Sequence, residues 1–144
     1  MNDASRAQPV ELLALLHTAA TAQAAVEAEL SGIGLSFAKL LALKALAEAG
    51  ESLPLGQLAE RLSCVKSNIT QLVDRLETDG LVTREPDPHD RRTRLAVLTS
   101  AGRKACKDGT RVQQEAERRL LAKLTKDESR QLATLLGKLR PVPG

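Results

Sequence analysis

Two clusters of side chains in this 144-residue sequence have the chemistry to contact a charged, hydrogen-bonding partner. The first cluster combines cations, hydroxyls and amides in one short stretch: Lys66, Ser67, Asn68, Thr70, Gln71 and Arg75. The second is a group of arginines with one acidic neighbour: Asp90, Arg91, Arg92 and Arg94. Hydroxyl and amide groups hydrogen-bond the edges of bases, whereas guanidinium and ammonium groups bind phosphate oxygens. Together the two clusters favour a nucleic-acid partner.

The first cluster lies on a predicted amphipathic helix over residues 66–79, which ends at Gly80. With about 100° between successive residues, apolar side chains gather on one side of this helix. They are Ile69, Leu72, Val73 and Leu76. The opposite side carries Ser67, Thr70, Gln71, Asp74 and Thr78. One side is therefore predicted to face the core, and the other to face a partner or, as the alternative, only solvent.

The position of each polar side chain on this helix predicts its role. Helices of this kind place their N-terminal turns deepest in the major groove, so we expect Ser67, Thr70 and Gln71 to reach base edges. The Gln71 amide is suited to a bidentate pair with adenine. Three flanking side chains are better placed for phosphates: Lys66, Asn68 and Arg75.

The arginine cluster lies at the tip of a predicted hairpin. Residues 81–85 and 93–98 alternate in polarity as strands do, and the loop between them contains strand-breaking proline and aspartate residues. A guanidinium at such a tip can enter a narrow minor groove. We predict that Asp90 orients a neighbouring arginine instead of contacting the partner itself. The alternative is a solvated charged turn.

The helix at 66–79 and the hairpin at 81–98 together form what we call the reading head. The remaining helices are predicted to support it. They cover residues 10–30, 37–49, 53–62, 100–124 and 125–140. We expect Ser36 to cap the second helix, Gly32 to supply a left-handed end to the first, and Thr125 with Glu128 to form a capping box. The fold class is therefore mostly α with a small β-hairpin wing, which is a winged helix-turn-helix with additional terminal helices.

The helices outside the head are predicted to form a subunit interface. One apolar stripe, for example, comprises Val112, Ala116, Leu120 and Leu124. A homodimer would separate two heads by about 34 Å, so that they meet successive major-groove faces of a palindrome. The alternative is an intramolecular helical pack. The sequence therefore predicts a single unit over residues 1–144, with a DNA-binding region at 36–100 and dimerisation helices at 10–31 and 101–140.

Charge is distributed unevenly along the sequence. Residues 1–55 have 3 Lys/Arg against 6 Asp/Glu, residues 56–94 have 7 against 7, and residues 95–144 have 11 against 5. The net charge of +3 is therefore not concentrated in the head. Any binding to DNA must depend on which faces carry the charges.

From about Ser36 to Gly102 the sequence resembles the MarR family of dimeric winged-helix transcription regulators. The motifs that carry the resemblance are LGQLAERL, SNITQLVDRLETDGLV, the DRR at 90–92 and the LTSAG at 98–102. The resemblance implies that helix 66–79 enters the major groove, that Arg92, or else Arg91, probes the minor groove, and that Asp90 helps to hold the wing. The sequence departs from the family at Pro54, where Thr or Ser is usual, and at 63–65, where Ser-Cys-Val replaces Gly, an apolar residue and Ser.

The resemblance also implies a transcriptional repressor that a small-molecule effector releases from a palindromic operator. His17 and Phe37 are the distinctive side chains near the expected effector pocket, although a structural role for His17 is the favoured alternative. Cys64 precedes a helix and Lys66, so a redox-responsive regulator is a second interpretation, against a buried, inert thiol. A third is a module that binds DNA without sequence preference or binds protein.

Several function classes lack support in the sequence. His17, His89, Cys64 and Cys106 have no metal-ligand spacing, and nothing indicates a cofactor. No nucleophile-and-base grouping or phosphate-cradling glycine loop predicts an enzyme. Apolar runs are too short to span a membrane, and the polar N-terminus lacks a signal-peptide core, so we expect a cytoplasmic protein.

Overall fold

A computed structural model describes residues 11–62 and 68–140 of the chain. Its elements are α1 (Leu12–Ser31), α2 (Phe37–Glu48), β1 (Ser52–Pro54), α3 (Leu55–Arg61), α4 (Ile69–Thr78), β2 (Val82–Pro86), β3 (Arg94–Leu98), α5 (Ser100–Leu121) and α6 (Lys126–Leu139). Helices α3 and α4 followed by the β2–β3 hairpin form a winged helix-turn-helix, which confirms the predicted fold class. No helix among the described residues combines the length and the apolar character that a membrane crossing requires.

The sheet contains one strand that the sequence did not predict. Strand β3 lies in the centre, pairing antiparallel with β1 and with β2. The sequence predicted that Leu53 and Pro54 open the third helix, but Leu53 pairs with Ala96, and the helix begins at Leu55. Strand β1 is only three residues long and depends on a partner more than forty positions away, so local periodicity could not reveal it.

Three helices end in the same glycine motif. Gly34, Gly50 and Gly80 have φ values of 76°, 82° and 76°, and in each case the next N–H bonds to a carbonyl five residues earlier. This is the Schellman arrangement, in which glycine adopts the left-handed conformation without steric cost. The predicted left-handed cap at Gly32 is wrong, because its φ is −62° and the turn continues to Gly34.

Side-chain caps fix the starts of α2, α5 and α6. Ser36 Oγ accepts from the N–H of Lys39, and Thr99 Oγ1 accepts from the N–H of Gly102. Thr125 and Glu128 form the predicted capping box, and the backbone and hydroxyl hydrogen bonds from Thr125 lower the pKa of the Glu128 carboxyl. Helix α5 ends at Leu121, three residues before its predicted end.

A leucine-rich core lies under the reading head. The largest fully buried side chains are Leu30, Leu40, Leu43, Leu46, Leu58, Leu76, Val73 and Val82. Each contributes about 1.5–3 kcal/mol through the removal of apolar surface from water. From α4 the core receives Leu72, Val73 and Leu76, as predicted, while Ile69 is half-buried. The polar side of α4 is consequently turned outwards.

Candidate nucleic-acid interface

The first turn of α4 is exposed to solvent, and the side chain of Asn68 caps it. Asn68 Oδ1 accepts hydrogen bonds from the N–H groups of Thr70, at 3.0 Å, and Gln71, at 3.4 Å. The side chains of Thr70 and Gln71 are therefore displayed from a capped turn, and both are exposed. Asn68 was predicted as a phosphate contact; its carbonyl oxygen serves the cap, which leaves its amide nitrogen to donate.

The other predicted residues of this helix divide into two groups. Arg75 is exposed one turn beyond Gln71, where its guanidinium can extend along the helix side. Lys66, Ser67 and the candidate redox residue Cys64 lie outside the described residues.

Arg84 on strand β2 is a residue of this site that the sequence did not single out. Its Nη2 lies 2.7 Å from Asp74 Oδ1 and donates to the carbonyl oxygen of Thr70 at 3.2 Å. Its Nη1 donates to Glu77 Oε1 at 3.3 Å, and its backbone N–H donates to Glu77 Oε2 at 3.1 Å. One half-buried guanidinium thus joins the reading helix to the strand that leads into the wing. One feature of the sequence could have identified this contact: two acids, Asp74 and Glu77, lie three residues apart on the helix, and an arginine follows on the next strand.

The wing tip is organised by two aspartates that bind main chain. Asp90 Oδ1 accepts from the N–H of Arg92 at 3.0 Å, and Asp90 Oδ2 accepts from Thr93 Oγ1 at 3.1 Å. Asp87 Oδ1 accepts from the N–H of His89 at 2.9 Å. Among the ion pairs of residues 11–62 and 68–140, none joins Asp90 to an arginine. Asp90 therefore orders the backbone at Arg92, whereas the sequence argument expected it to orient an arginine side chain.

The arginines of the wing project from this ordered turn. Arg91, Arg92 and Arg94 are all exposed. Arg94 begins β3 and is paired in register with Pro86 of β2, so its backbone position is set by the sheet. The tip consequently presents three guanidinium groups, two on a short, internally hydrogen-bonded loop and one on the first residue of β3.

Intramolecular contacts explain how an electrically neutral segment can present a basic surface. Asp74 and Glu77 are paired with Arg84, and Asp79 is paired with Lys39 at 2.8 Å. Asp87 and Asp90 accept main-chain hydrogen bonds within the wing. These five of the seven acids between residues 56 and 94 are thus paired or hydrogen-bonded within the protein, while Arg75 and the wing arginines extend into solvent.

The candidate effector residues are placed apart. Phe37 lines a cavity of about 610 Å³ between α1, α2 and α5. His17 is not among the residues that line this cavity, and it is exposed on the N-terminal half of α1. The cavity wall is rich in small and apolar side chains, with Glu29 and Arg119 forming an ion pair at its edge.

Cysteine and metal chemistry receive no support from the described geometry. Cys106 is half-buried on α5, and burial raises the pKa of its thiol, although Thr110 and Lys44 partly oppose that rise. A raised pKa keeps the thiol protonated and unreactive. Within the described part of the chain, no group of three His, Cys, Asp or Glu residues is arranged to hold a metal ion.

The fold and this surface define a winged helix-turn-helix protein with an exposed helix face and an arginine-tipped wing. A sequence model described as the MarR family matches residues 33–93. The regulator YcgE of Bacillus subtilis is 35% identical over 112 residues, covering 78% of this chain and 72% of that protein. The repressor Rv2887 of Mycobacterium tuberculosis is 31% identical, covering 79% and 81%. The chain belongs to the MarR family.

Solved structures agree with that assignment. A cysteine-to-serine mutant of MarR from Escherichia coli, solved in complex with operator DNA, superimposes with a TM-score of 0.79. The sequence identity is 27%, and the match covers 92% of this chain and 100% of that one. The resemblance inferred from the sequence motifs is therefore confirmed, including the terminal helices, for which the sequence offered no motif.

Proposed function

We propose that this protein is a dimeric, sequence-specific DNA-binding transcriptional repressor. The observation that carries the proposal is the capped, exposed first turn of α4, which Arg84 ties to an arginine-tipped wing. In this arrangement Thr70 and Gln71, together with Ser67, read base edges in the major groove. The MarR structure with operator DNA and the name of Rv2887 as a repressor support the same function.

The basic side chains, together with Asn68, supply sequence-independent affinity. Lys66, Asn68 and Arg75 bind phosphates beside the reading turn, while the wing arginines Arg91, Arg92 and Arg94 enter the adjacent minor groove. Asp90 contributes indirectly, by ordering the loop that carries Arg92. Each phosphate contact made by a lysine or an arginine adds to the salt dependence of binding, because it releases counterions from the DNA.

The terminal helices form the homodimer interface. Large apolar side chains are exposed on α1 and α6: Leu12, Leu13, Leu15, Leu16, Leu132, Leu135, Leu136 and Leu139. Such a surface is larger than scattered surface leucines account for, and a second copy of the chain would bury it. The dimer would place two reading heads on one palindromic operator.

Selection of bound sequences from a random duplex pool tests the proposal. We expect a palindromic site bound with an affinity on the order of nanomolar at moderate salt, well above the affinity for random duplex. In the selected site, Gln71→Ala should relax the preference at one base pair per half-site, whereas Thr78→Ala, on the last turn of the same helix, should not. Equal affinity for all duplexes would instead favour a non-specific architectural or protein-interaction module.

The cavity beside Phe37 favours regulation by a small molecule. Its volume of about 610 Å³ suits a drug-sized ligand. Phe37 is also the first residue of α2, and its backbone N–H donates to Glu27 Oε1 of α1 at 2.9 Å. A bound ligand would therefore act at the joint between the terminal helix and the head. Compounds that release DNA from the wild type but not from Phe37→Ala would support this effector site; release that depends on Cys64 would support the redox alternative.

A further inference from the structure

Arg84 contacts three residues that form one continuous stripe of α4. Thr70, Asp74 and Glu77 are spaced four and three residues apart, so they lie above one another on the same side of the helix. The stripe extends from the first turn of α4 to its last turn, and a single guanidinium with 22% of its side chain exposed spans it. Contacts at both ends of a ten-residue helix fix its rotation about its own axis relative to β2.

The contact with Thr70 is the most informative of the three. Arg84 Nη2 donates to the backbone carbonyl of Thr70, within the turn from which Thr70 and Gln71 are displayed. A planar guanidinium with several donors in fixed directions can hold a carbonyl and two carboxylates at once. A change at Arg84 is therefore transmitted to the two side chains placed to read bases, although Arg84 itself is not exposed enough to read them.

Arg84 also controls the charge of the reading face. Asp74 and Glu77 have side chains that are 56% and 44% exposed, so both carboxylates reach solvent on the same helix that displays Thr70 and Gln71. The guanidinium pairs with both and turns them towards β2, so the cation works as an intramolecular counterion.

We propose that Arg84 is a positioning residue that sets how α4 presents Thr70 and Gln71 relative to the wing, and that it thereby determines sequence discrimination. This inference rests on the proposed sequence-specific DNA binding. Arg84 acts through Thr70, Asp74 and Glu77 and makes no DNA contact of its own. A purely stabilising role would lower the melting temperature but would leave the ratio of specific to non-specific affinity unchanged.

The test compares Arg84→Ala with Arg75→Ala, a matched loss of one arginine from the exposed side of α4. Dissociation constants for the selected site and for random duplex would be measured across a range of salt concentrations, alongside melting temperatures. Arg84→Ala should weaken the selected site by about tenfold or more while changing random-duplex affinity by less than about threefold, with the salt slope preserved. Arg75→Ala should weaken both duplexes in parallel and reduce the salt slope by about one phosphate contact.

A double-mutant cycle identifies the route of the effect. If Arg84 acts through the stripe, Asp74→Ala should lower discrimination as well, and the double variant should cost little more than Arg84→Ala alone. Asp74 is exposed, so Asp74→Ala remains usable even if Arg84→Ala fails to fold. Arg84→Lys should retain only part of the discrimination, because an ammonium group cannot span three acceptors.

The results that would overturn the role of Arg84 differ from those that would overturn the proposed function. An unchanged affinity ratio for Arg84→Ala and Asp74→Ala, or a parallel loss with a reduced salt slope for Arg84→Ala, would overturn the positioning role and leave the proposed function standing. A wild-type protein that does not discriminate between the selected site and random duplex would overturn both.

Discussion

Gly102 lies so close to Leu81 that a β-carbon added to the glycine would fall 2.1 Å from the Leu81 carbonyl oxygen. The same carbonyl accepts the N–H of Thr99 at 3.1 Å, and Thr99 Oγ1 donates to the carbonyl of Gly80 at 2.7 Å. The start of α5 is thus seated directly on the turn between α4 and β2. The long helix that leads towards the terminal region is thereby joined to the turn that connects the reading helix to the wing.

Gly102→Ala should therefore destabilise the protein. The added methyl group must displace backbone as well as Leu98, so we expect a loss of about 1–3 kcal/mol in the free energy of unfolding. Denaturant unfolding at fixed protein concentration measures it. The control is Gly56→Ala on α3, where an added β-carbon meets nothing within 4 Å, and where alanine should stabilise by about 0.5–1 kcal/mol. Equal stabilities for the two variants would contradict the close contact.

Arg92→Ala should weaken binding to the selected operator by about tenfold or more, because an arginine in a narrow minor groove is attracted by its enhanced negative potential. Equilibrium binding by fluorescence anisotropy provides the measurement. His89→Ala is the control, since the contact of His89 with Asp87 is made by its backbone N–H and survives the substitution. An unchanged dissociation constant for Arg92→Ala would remove the wing from the mechanism.

Asp90→Ala should lower operator affinity although it removes a negative charge from the wing loop. The carboxylate holds the N–H of Arg92 and the hydroxyl of Thr93, and without it the loop must be ordered upon binding, at a cost in entropy. Asp90→Asn keeps one carbonyl acceptor, so its effect should be smaller. If the charge of Asp90 matters more than its hydrogen bonds, both variants will bind DNA more tightly than the wild type.

Leu135→Glu combined with Leu139→Glu should convert the proposed dimer to monomers and weaken binding to the selected operator. Their side chains are 54% and 67% exposed on α6, and a dimer interface that buried them could not accommodate two carboxylates. Sedimentation velocity gives the mass in solution. Lys138→Glu, on the same helix, introduces acidic charge without removing apolar surface and should leave the mass unchanged. A double-leucine variant with the mass of the wild type would exclude α6 from the interface.

Cys106 should react slowly with iodoacetamide in the folded protein. Burial raises the pKa of its thiol above the unfolded value, so the stability that the protonated thiol contributes is present below the unfolded pKa and is lost as pH rises through the folded pKa. In a Cys64→Ser background, the alkylation midpoint should lie at higher pH in the folded protein than in denaturant. Coincident midpoints would mean that the thiol is as solvated as in the unfolded chain.

Much of the reading head could be predicted because its signals are local. The spacing of Leu72, Val73 and Leu76 within two turns identified the buried side of α4. Outside the reading head, the pairing of Thr125 with Glu128 likewise identified the start of α6. The alternating polarity of residues 81–85 and 93–98 predicted the wing and the arginines at its tip. In each case the interacting residues are close in sequence, so the chain must bring them together once the helix or the hairpin forms.

The tertiary structure decided the relationships between residues that are distant along the chain. Strand β1 exists because Leu53 pairs with Ala96. Position 102 requires a glycine because the start of α5 packs against the Leu81 carbonyl, which leaves no room for a β-carbon. Arg84 could be recognised as a strand residue from its alternating neighbours, but its three partners on α4 depend on how the hairpin folds back against the helix. The sequence determined which side chains face outwards from α4 and the wing. Only tertiary packing decided which cation neutralises the acids between them, because side-chain contacts across elements depend on their relative orientation and not on spacing along the chain.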